Sequence, residues 1–215
     1  MKIIDLTHII DESMPVFPGT EPPVLNRKYT IEEHGFREAE ITMFSHTGTH
    51  IDAPAHMLIN GAALDELPVE KFIGKAMVIN LGSLSNKTIE LKDIVSYKEK
   101  IKDVDFVIIR SDWDKYWGSE DYYKDFPALS DDAAKWISEF NLKGIGIDVI
   151  SIDSMDSKNF NVLNILLNRG MIIIENLTNL SAIEKEFFIL SVLPLKSKLA
   201  DGSPVRAIAI ESMEY

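Results

Sequence analysis

The sequence contains no cysteine in its 215 residues. This absence excludes a disulfide framework and every cysteine-ligated metal cluster. Any metal ion must therefore be bound through nitrogen and oxygen atoms. We expect a cytoplasmic location, because no part of the sequence requires an oxidising compartment.

Basic residues are scarce relative to acidic ones. The chain has 22 lysines and arginines against 34 aspartates and glutamates, a formal net charge of −12. Proteins that bind nucleic acids carry basic patches, and no such patch is visible in this sequence. We therefore expect no nucleic-acid partner, and the acidic excess also disfavours a polyanionic substrate.

Long apolar runs are missing as well. No stretch reaches the length of a transmembrane helix, so we expect no membrane partner. The first eight residues already follow a strand pattern and lack the apolar core of a signal peptide. Hydrophobic residues nevertheless make up 46% of the chain, which is enough for a sizeable core. The length suits one domain, which we place at residues 1–215.

Histidine, in contrast, is concentrated in one place. Three of the five histidines lie in the segment His46-Thr-Gly-Thr-His50-Ile-Asp52-Ala-Pro-Ala-His56. Imidazole nitrogens and a carboxylate oxygen are the ligands of a catalytic zinc ion that keeps one position open for water. The segment therefore predicts a divalent metal site. His56 is a further ligand, a contact of a ligand or a proton shuttle, and we favour the shuttle because an imidazole titrates near pH ~6.5.

The spacing of these histidines requires a bend in the backbone. In a straight strand His46 and His50 would lie roughly 13 Å apart. Two nitrogens that bind one metal each lie only about 2.0 Å from it. Gly48 can supply the bend because glycine adopts positive φ, and Pro54 argues against a helix. We predict a kinked loop that leaves a strand.

The remaining sequence predicts an α/β fold with a mixed sheet and flanking helices, because strand patterns alternate with helical ones. The predicted strands are 2–7, 24–31, 37–45, 76–81, 104–109, 144–147, 171–174, 187–193 and 205–210. The predicted helices are 91–101, a helix after the N-cap Ser130, and 159–168 with Gly170 as its C-cap.

Acidic residues follow two predicted strands. Glu175 comes directly after an apolar strand, where a buried carboxylate needs a partner, often a metal. Asp148 follows another such strand, and sites in open α/β sheets gather at the carboxyl ends of strands. Asp153 and Asp156 follow in a loop and are weaker candidates.

Aromatic residues in two predicted loops are candidates for the wall of a pocket for an apolar or aromatic substrate. Core packing is the alternative role for each of them. They are Phe17, Trp113, Tyr116 and Trp117.

Several segments, taken together and in order, resemble the cyclase family of metal-dependent hydrolases, to which bacterial kynurenine formamidases and isatin hydrolases belong. The resemblance runs nearly from end to end, and the histidine segment is its most specific part. The segments are Asp5-Leu6-Thr7-His8, Pro15-Val16-Phe17-Pro18-Gly19, 46–56, Gly144-Ile145-Gly146-Ile147-Asp148, Glu175-Asn176-Leu177-Thr178-Asn179-Leu180 and Gly202-Ser203-Pro204-Val205-Arg206.

The resemblance implies a swivelling β/β/α-type domain and a role for each site residue. His46, His50 and Asp52 would bind the metal, and His56 would act as general acid and base. Glu175 would help to hold a second metal in members that bind two. The family also implies a homo-oligomer, either a homodimer or a homotetramer.

One residue departs from the family pattern. Members with two metals have a histidine twelve residues before the glutamate, and this chain has Leu163 there. Leucine cannot bind a metal, so we expect one zinc or manganese ion per chain. Glu175 would then bind that metal, orient its water or have no metal role.

These observations lead to one principal hypothesis and two alternatives. The principal one is a hydrolase that uses metal-activated water to cleave a carbon–nitrogen bond in a small arylformamide or cyclic amide. A non-haem Fe(II) oxygenase also uses two histidines and one carboxylate. A non-catalytic metal- or ligand-binding protein with a degenerate second site is the third possibility.

Overall fold

The computed structural model describes residues 1–82, 84 and 86–211, and within these ranges the chain forms thirteen strands. In chain order they are β1 Lys2–Asp5, β2 Val24–Tyr29, β3 Glu38–Thr42, β4 His50–Asp52, β5 Ile73–Asn80, β6 Thr88–Ile89, β7 Phe106–Arg110, β8 Ala128–Leu129, β9 Gly144–Ile147, β10 Ile172–Glu175, β11 Phe187–Ser191, β12 Gly202–Pro204 and β13 Ile208–Glu211.

Nine of these strands form one mixed sheet in the order β1-β13-β11-β5-β7-β9-β10-β4-β12. The central strands β5, β7, β9 and β10 run parallel, and the outer strands pair antiparallel. The predicted α/β fold with a mixed sheet and flanking helices is therefore confirmed. β2 and β3 form a separate antiparallel hairpin, and β6 and β8 form a short parallel pair.

The central strands are apolar on both faces because both faces of the sheet are covered. In β7, Val107 and Ile109 belong to the larger hydrophobic cluster, whereas Phe106 and Ile108 belong to the cluster on the other face. The larger cluster also contains the buried residues of the helices. Continuous apolar runs in the sequence therefore marked the parallel strands correctly.

The helices are short. They are α1 Ile31–His34, α2 Leu91–Ile94, α3 Lys98–Ile101, α4 Asp131–Ile137 and α5 Asn161–Leu167. The hydroxyl of Ser130 accepts a hydrogen bond from the Ala133 amide at 3.2 Å, which confirms the predicted N-cap of α4. No helix in the described ranges is long and apolar enough to cross a membrane.

Two helix predictions need correction. The predicted continuous helix 91–101 is wrong, because a 3₁₀ turn at Val95–Tyr97 separates α2 from α3. The β-branched residues Ile94 and Val95 lower helix propensity at the break. α5 has Asn168 as its C-cap, and Gly170 turns the chain two residues later, with φ of 69°.

The predicted strand 205–210 starts too early, because residues 205–207 lie outside the named strands and β13 begins at Ile208. β12 is the last strand in the sheet order, and β13 is second from the opposite end. Only residues 205–207 join them, so the sheet must curl until its two ends approach each other. The amide of Leu6 accordingly donates to the Ala207 carbonyl, and Thr7 forms a bridge with Leu177 just beyond β10. The curl brings β12 beside the histidine segment.

The histidine segment is partly a strand, which the sequence did not predict. β4 lies between β10 and β12, and all three of its residues are buried. The predicted bend is confirmed, because Gly48 has φ of 65° and turns the chain between His46 and β4. The loop predicted between β1 and β2 contains no strand in the structure.

We expect Gly48→Ala to lower the free energy of unfolding by about 1–2 kcal/mol, because alanine is strained at positive φ. A Cβ at Gly48 would meet only ordinary contacts at 3.4 Å, so backbone strain is the main cost. Gly170→Ala is a matched control, with similar φ and open space around its Cβ. Urea denaturation should show similar losses, but only Gly48→Ala should weaken zinc binding. Unchanged stability and zinc binding in Gly48→Ala would contradict this account.

Candidate metal centre

Strand β4 places two of the candidate ligands on one face. His50 and Asp52 are two residues apart, so their side chains point to the same side of the strand. Pairing with β10 sets His50 opposite Glu175. His50, Asp52 and Glu175 are all buried, with 3%, 2% and 5% of their surfaces exposed.

The bend at Gly48 returns His46 to the same place. Its Nδ1 lies 2.7 Å from Asp52 Oδ1, and His50 Nε2 lies 3.3 Å from the same oxygen. One ligand atom from each of the three residues falls within 4.8 Å of the others. Three residues that a straight strand would separate therefore converge on a single point.

A buried hydrogen-bond chain fixes the orientation of His50. Its Nδ1 lies 2.8 Å from the carbonyl oxygen of Gly48, which leaves Nε2 facing Asp52 and Glu175. The side-chain amide of Asn176 donates to the same Gly48 oxygen at 2.8 Å, and the Tyr122 hydroxyl donates to Asn176 Oδ1 at 2.7 Å. A hydrogen bond on one ring nitrogen is the usual way to present the other to a metal.

Glu175 lies beside this group with its two oxygens in different roles. Oε1 accepts a hydrogen bond from the Ile152 amide at 2.7 Å, and Oε2 lies 3.6 Å from His50 Nε2. Burial, reinforced by the negative charge of Asp52, raises the pKa of Glu175 to about 8. A cation at this point would relieve the crowding of the two carboxyl groups.

The imidazoles and carboxylates strongly affect one another. Burial lowers the pKa of His46, but Asp52 and Asp201 outweigh it and raise that pKa to about 9. Burial likewise opposes a net rise in the pKa of His50, which Asp52 and Glu175 produce. Burial raises the pKa of Asp52, yet the two histidines hold it far below its usual range. A metal that binds here must displace protons from the imidazoles.

The donor set fits a divalent metal. Two imidazole nitrogens and one carboxylate oxygen converge, and their chemistry suits zinc or manganese. Leu163 is buried and lines the same cavity as Glu175. It offers no ligand atom beside Glu175, whereas His46, His56 and Asp201 form a second group whose ligand atoms lie within 4.8 Å of one another.

His56 lies next to this point but is not one of the three convergent ligands. Its ring centroid is 4.0 Å from that of His46, and its Nδ1 lies 3.6 Å from Asp201 Oδ2. Burial lowers the pKa of His56 below its ordinary value of 6.5. The imidazole is therefore neutral at pH 7 and can accept a proton.

A cavity of about 250 Å³ opens onto these groups. Its walls are largely apolar, and they include Val16, Phe17, Met57, Phe160 and Leu163. The structure thus places Phe17 in the pocket wall. The three other aromatic candidates do not line this cavity: Trp113 and Tyr116 line a separate one, and Trp117 packs against the larger hydrophobic cluster.

Of the weaker acidic candidates, two form hydrogen bonds within the fold and the third is exposed. Asp148 is buried and accepts hydrogen bonds from the amide and hydroxyl of Ser111. Asp153 accepts from the amide of Leu163 at 2.8 Å and so caps the start of α5. Asp156 is exposed.

Three residues at the site had been given no role from the sequence, although Asn176 and Gly202 belong to segments that resemble the family. Asn176 holds the Gly48 carbonyl, Asp201 contacts two histidines, and Gly202 lies under the ring of His46. They lie far from 46–56 along the chain, so spacing arguments could not connect them to it. The adjacent pair Asp201-Gly202, where β12 begins, was the local sequence feature that could have drawn attention to this position.

The chain is similar to characterised proteins over nearly its whole length. Residues 4–154 match the family model described as a putative cyclase. A kynurenine formamidase of Bacillus cereus is 32% identical over 206 residues, which cover 95% of each protein. A kynurenine formamidase of Bacillus thuringiensis is 32% identical over 209 residues, again 95% of each protein.

Solved structures agree in fold. Isatin hydrolase A of Labrenzia aggregata superposes with a TM-score of 0.86 at 26% identity, covering 97% of this chain and 93% of that chain. A protein described as a potential metal-dependent hydrolase with cyclase activity gives a TM-score of 0.81 at 28% identity, covering 97% and 96%. The family match, the near full-length relatives and the shared fold lead to one conclusion: the chain belongs to the cyclase family of metal-dependent hydrolases.

Proposed function

We propose that this protein hydrolyses a carbon–nitrogen amide bond in a small aromatic substrate, either an arylformamide or a cyclic amide. The observation that carries the proposal is the convergence of His46, His50 and Asp52 beside an apolar cavity, with His46 Nδ1 and His50 Nε2 both close to Asp52 Oδ1. The names of the relatives support it, since they are called kynurenine formamidase and isatin hydrolase.

His46, His50 and Asp52 would hold the metal, with Glu175 as a further oxygen donor on the same side. A bound zinc or manganese ion supplies Lewis acidity, which lowers the pKa of water toward ~7 and polarises a carbonyl group. One ion per chain is our expectation because Leu163 removes a ligand of the second site.

His56 carries the proton transfer in this proposal. Its Nδ1 faces Asp201, so Nε2 is the nitrogen left for the substrate. A neutral imidazole at Nε2 accepts a proton from the attacking water and then donates it to the leaving nitrogen. That protonation is needed because an amine leaves far more readily than its anion.

The apolar wall provides binding and orientation. Phe17, Phe160 and Leu163 offer apolar surface to an aromatic ring, and the same cavity is lined by the polar groups of His46, His50, Asp52 and Glu175. Such an arrangement orients a flat substrate with its amide toward the metal. The predicted homodimer or homotetramer, the cytoplasmic location and the single domain 1–215 remain predictions.

We expect His56→Ala to retain its metal and to lose about 10²–10⁴-fold in kcat, the usual contribution of a general acid and base. The measurements are metal content and hydrolysis of an arylformamide and a cyclic aromatic amide with Zn²⁺ or Mn²⁺. His34→Ala, a histidine of α1 outside the cavity, is the control and should keep full turnover. Undiminished turnover in His56→Ala would remove that residue from the mechanism.

Oxygen dependence separates this proposal from the oxygenase alternative. A hydrolase turns over at the same rate with and without oxygen, whereas an Fe(II) oxygenase consumes oxygen. Equal rates in anaerobic buffer are therefore expected from the wild type. Oxygen consumption that requires Fe(II) and substrate would favour the alternative.

Metal binding should release protons near neutral pH. The pKa of His46 is about 9, so this imidazole is protonated at pH 7 and must lose its proton to bind a metal. Apparent zinc affinity of chelator-treated protein should therefore rise as the pH increases from 6 toward about 9, by up to about tenfold per unit for each proton displaced. Calorimetry in buffers of different ionisation enthalpy counts these protons. A count of zero at pH 7, with flat affinity, would contradict the linkage.

The number of metals tests the role of Leu163. Elemental analysis should find about one metal per chain in the wild type and in Leu163→Met, which keeps the apolar wall. Leu163→His restores the missing ligand beside Asp52 and Glu175, so about two metals are expected. Two metals already present in the wild type would show that other ligands complete a second site.

A further inference from the structure

We infer that Asp201 and Gly202 together form a seat for the ring of His46, with Asp201 as a positioning residue. The seat orients His46 so that its Nδ1 faces the metal. The carboxylate of Asp201 faces His56 as well. This inference rests on the proposed metal site. It assigns roles to two residues at the start of the edge strand β12.

The first observation is the close approach of Gly202. A Cβ built on this glycine would lie 2.4 Å from His46 Cε1, 2.7 Å from Nε2 and 2.9 Å from Nδ1. Those three ring atoms all face the bare Cα, so the imidazole lies against the glycine backbone. Any side chain at this position would push the ring away. Gly202 also pairs with Asp52 across β12 and β4, so the seat is built next to a ligand.

The second observation is the carboxylate of Asp201. Its Oδ2 lies 3.1 Å from His46 Nε2, while Nδ1 of the same ring lies 2.7 Å from Asp52. Both ring nitrogens of the protonated imidazole therefore face carboxylates, and once Nδ1 gives up its proton to a metal, Nε2–H still donates to Asp201. Carboxylates that accept from the distal N–H of a metal-binding histidine fix its tautomer and orientation.

The third observation joins His56 to the same oxygen. His56 Nδ1 lies 3.6 Å from Asp201 Oδ2, and the His46 and His56 rings are 4.0 Å apart. One carboxylate therefore faces a metal ligand and the proposed proton carrier at once. A shift of Asp201 would disturb both the metal site and the proton transfer.

The backbone of Asp201 is anchored separately from its side chain. Its carbonyl oxygen accepts from the Ala53 amide at 2.8 Å, next to Asp52. The side chain itself is 46% exposed. Substitution of the carboxylate should therefore leave the fold intact, which makes Asp201 a clean position to test.

The direct test is nitrogen NMR of zinc-loaded protein labelled with ¹⁵N-histidine. We expect His46 to show a zinc-bound Nδ1 and a protonated, hydrogen-bonded Nε2, and that pattern to be disturbed in Asp201→Ala. His50 should show the opposite assignment, with Nε2 bound, because its Nδ1 faces the Gly48 carbonyl. Zinc bound to Nε2 of His46 would overturn the inference.

Zinc affinity, measured by competition with a chelator, gives a second readout that needs no substrate. Asp201→Ala should weaken zinc binding about 10–100-fold, the usual effect of removing such a carboxylate. Asp201→Asn should weaken it less, since its amide oxygen still accepts a hydrogen bond. Turnover should fall through kcat more than KM, because the cavity wall is unchanged.

The matched control is Asp65→Asn. The Asp65 carboxylate accepts from the Leu199 amide at 2.9 Å, so it holds the same loop without facing the histidines. We expect wild-type zinc affinity in this variant. Gly202→Ala should weaken zinc like Asp201→Ala while circular dichroism shows a folded chain.

The outcomes separate the inference from the proposed function. Wild-type zinc affinity in Asp201→Ala overturns the seat alone. A wild type that binds no zinc overturns the metal site and the seat together. Two zinc ions in the wild type, one of them lost in Asp201→Ala, would make Asp201 a ligand of a second metal with His46 and His56, and would also overturn the positioning role.

Discussion

The structure of the site depends on one buried carboxylate. Asp52 is 2% exposed and lies between two imidazoles on a strand that is buried on every side. An ionised carboxyl group in such a place is very unfavourable unless positive charge surrounds it. The imidazoles of His46 and His50 supply that charge when protonated, and a divalent metal supplies it when they are not. The turn at Gly48 and the pairing of β4 with its neighbours hold the carboxylate and the two imidazoles together.

The insertion of β4 between β10 and β12 gives the carboxylate its surroundings. On one side, β10 brings Glu175 and then Asn176, whose amide holds the Gly48 carbonyl against His50. On the other side, β12 brings Asp201 and Gly202 to the ring of His46. Each imidazole therefore has a hydrogen-bond acceptor behind it and Asp52 in front. Glu175 and Gly202 lie on the strands that pair with β4, and Asn176 and Asp201 are their immediate neighbours in the chain.

The cavity wall at Leu163 is separate from the strand that carries the proposed metal ligands. Leu163 lies on α5, whose start is capped by Asp153, and it contributes an apolar group to the cavity wall that Glu175 also lines. The donors on β4 belong to a different element of the fold. Family membership follows from the whole chain, whereas in our proposal the metal number and the substrate depend on this wall.

The sequence by itself determined the local chemistry. The spacing of 46–56, the glycine bend and the apolar central strands all follow from residue type and periodicity, because they depend on neighbours in the chain. The broken helix at 91–101, the strand character of β4 and the late start of β13 did not follow, since they depend on pairing and packing partners. Only the tertiary structure could join Asn176, Asp201 and Gly202 to the histidines, because the curl of the sheet closes a separation of more than a hundred residues that no local pattern records.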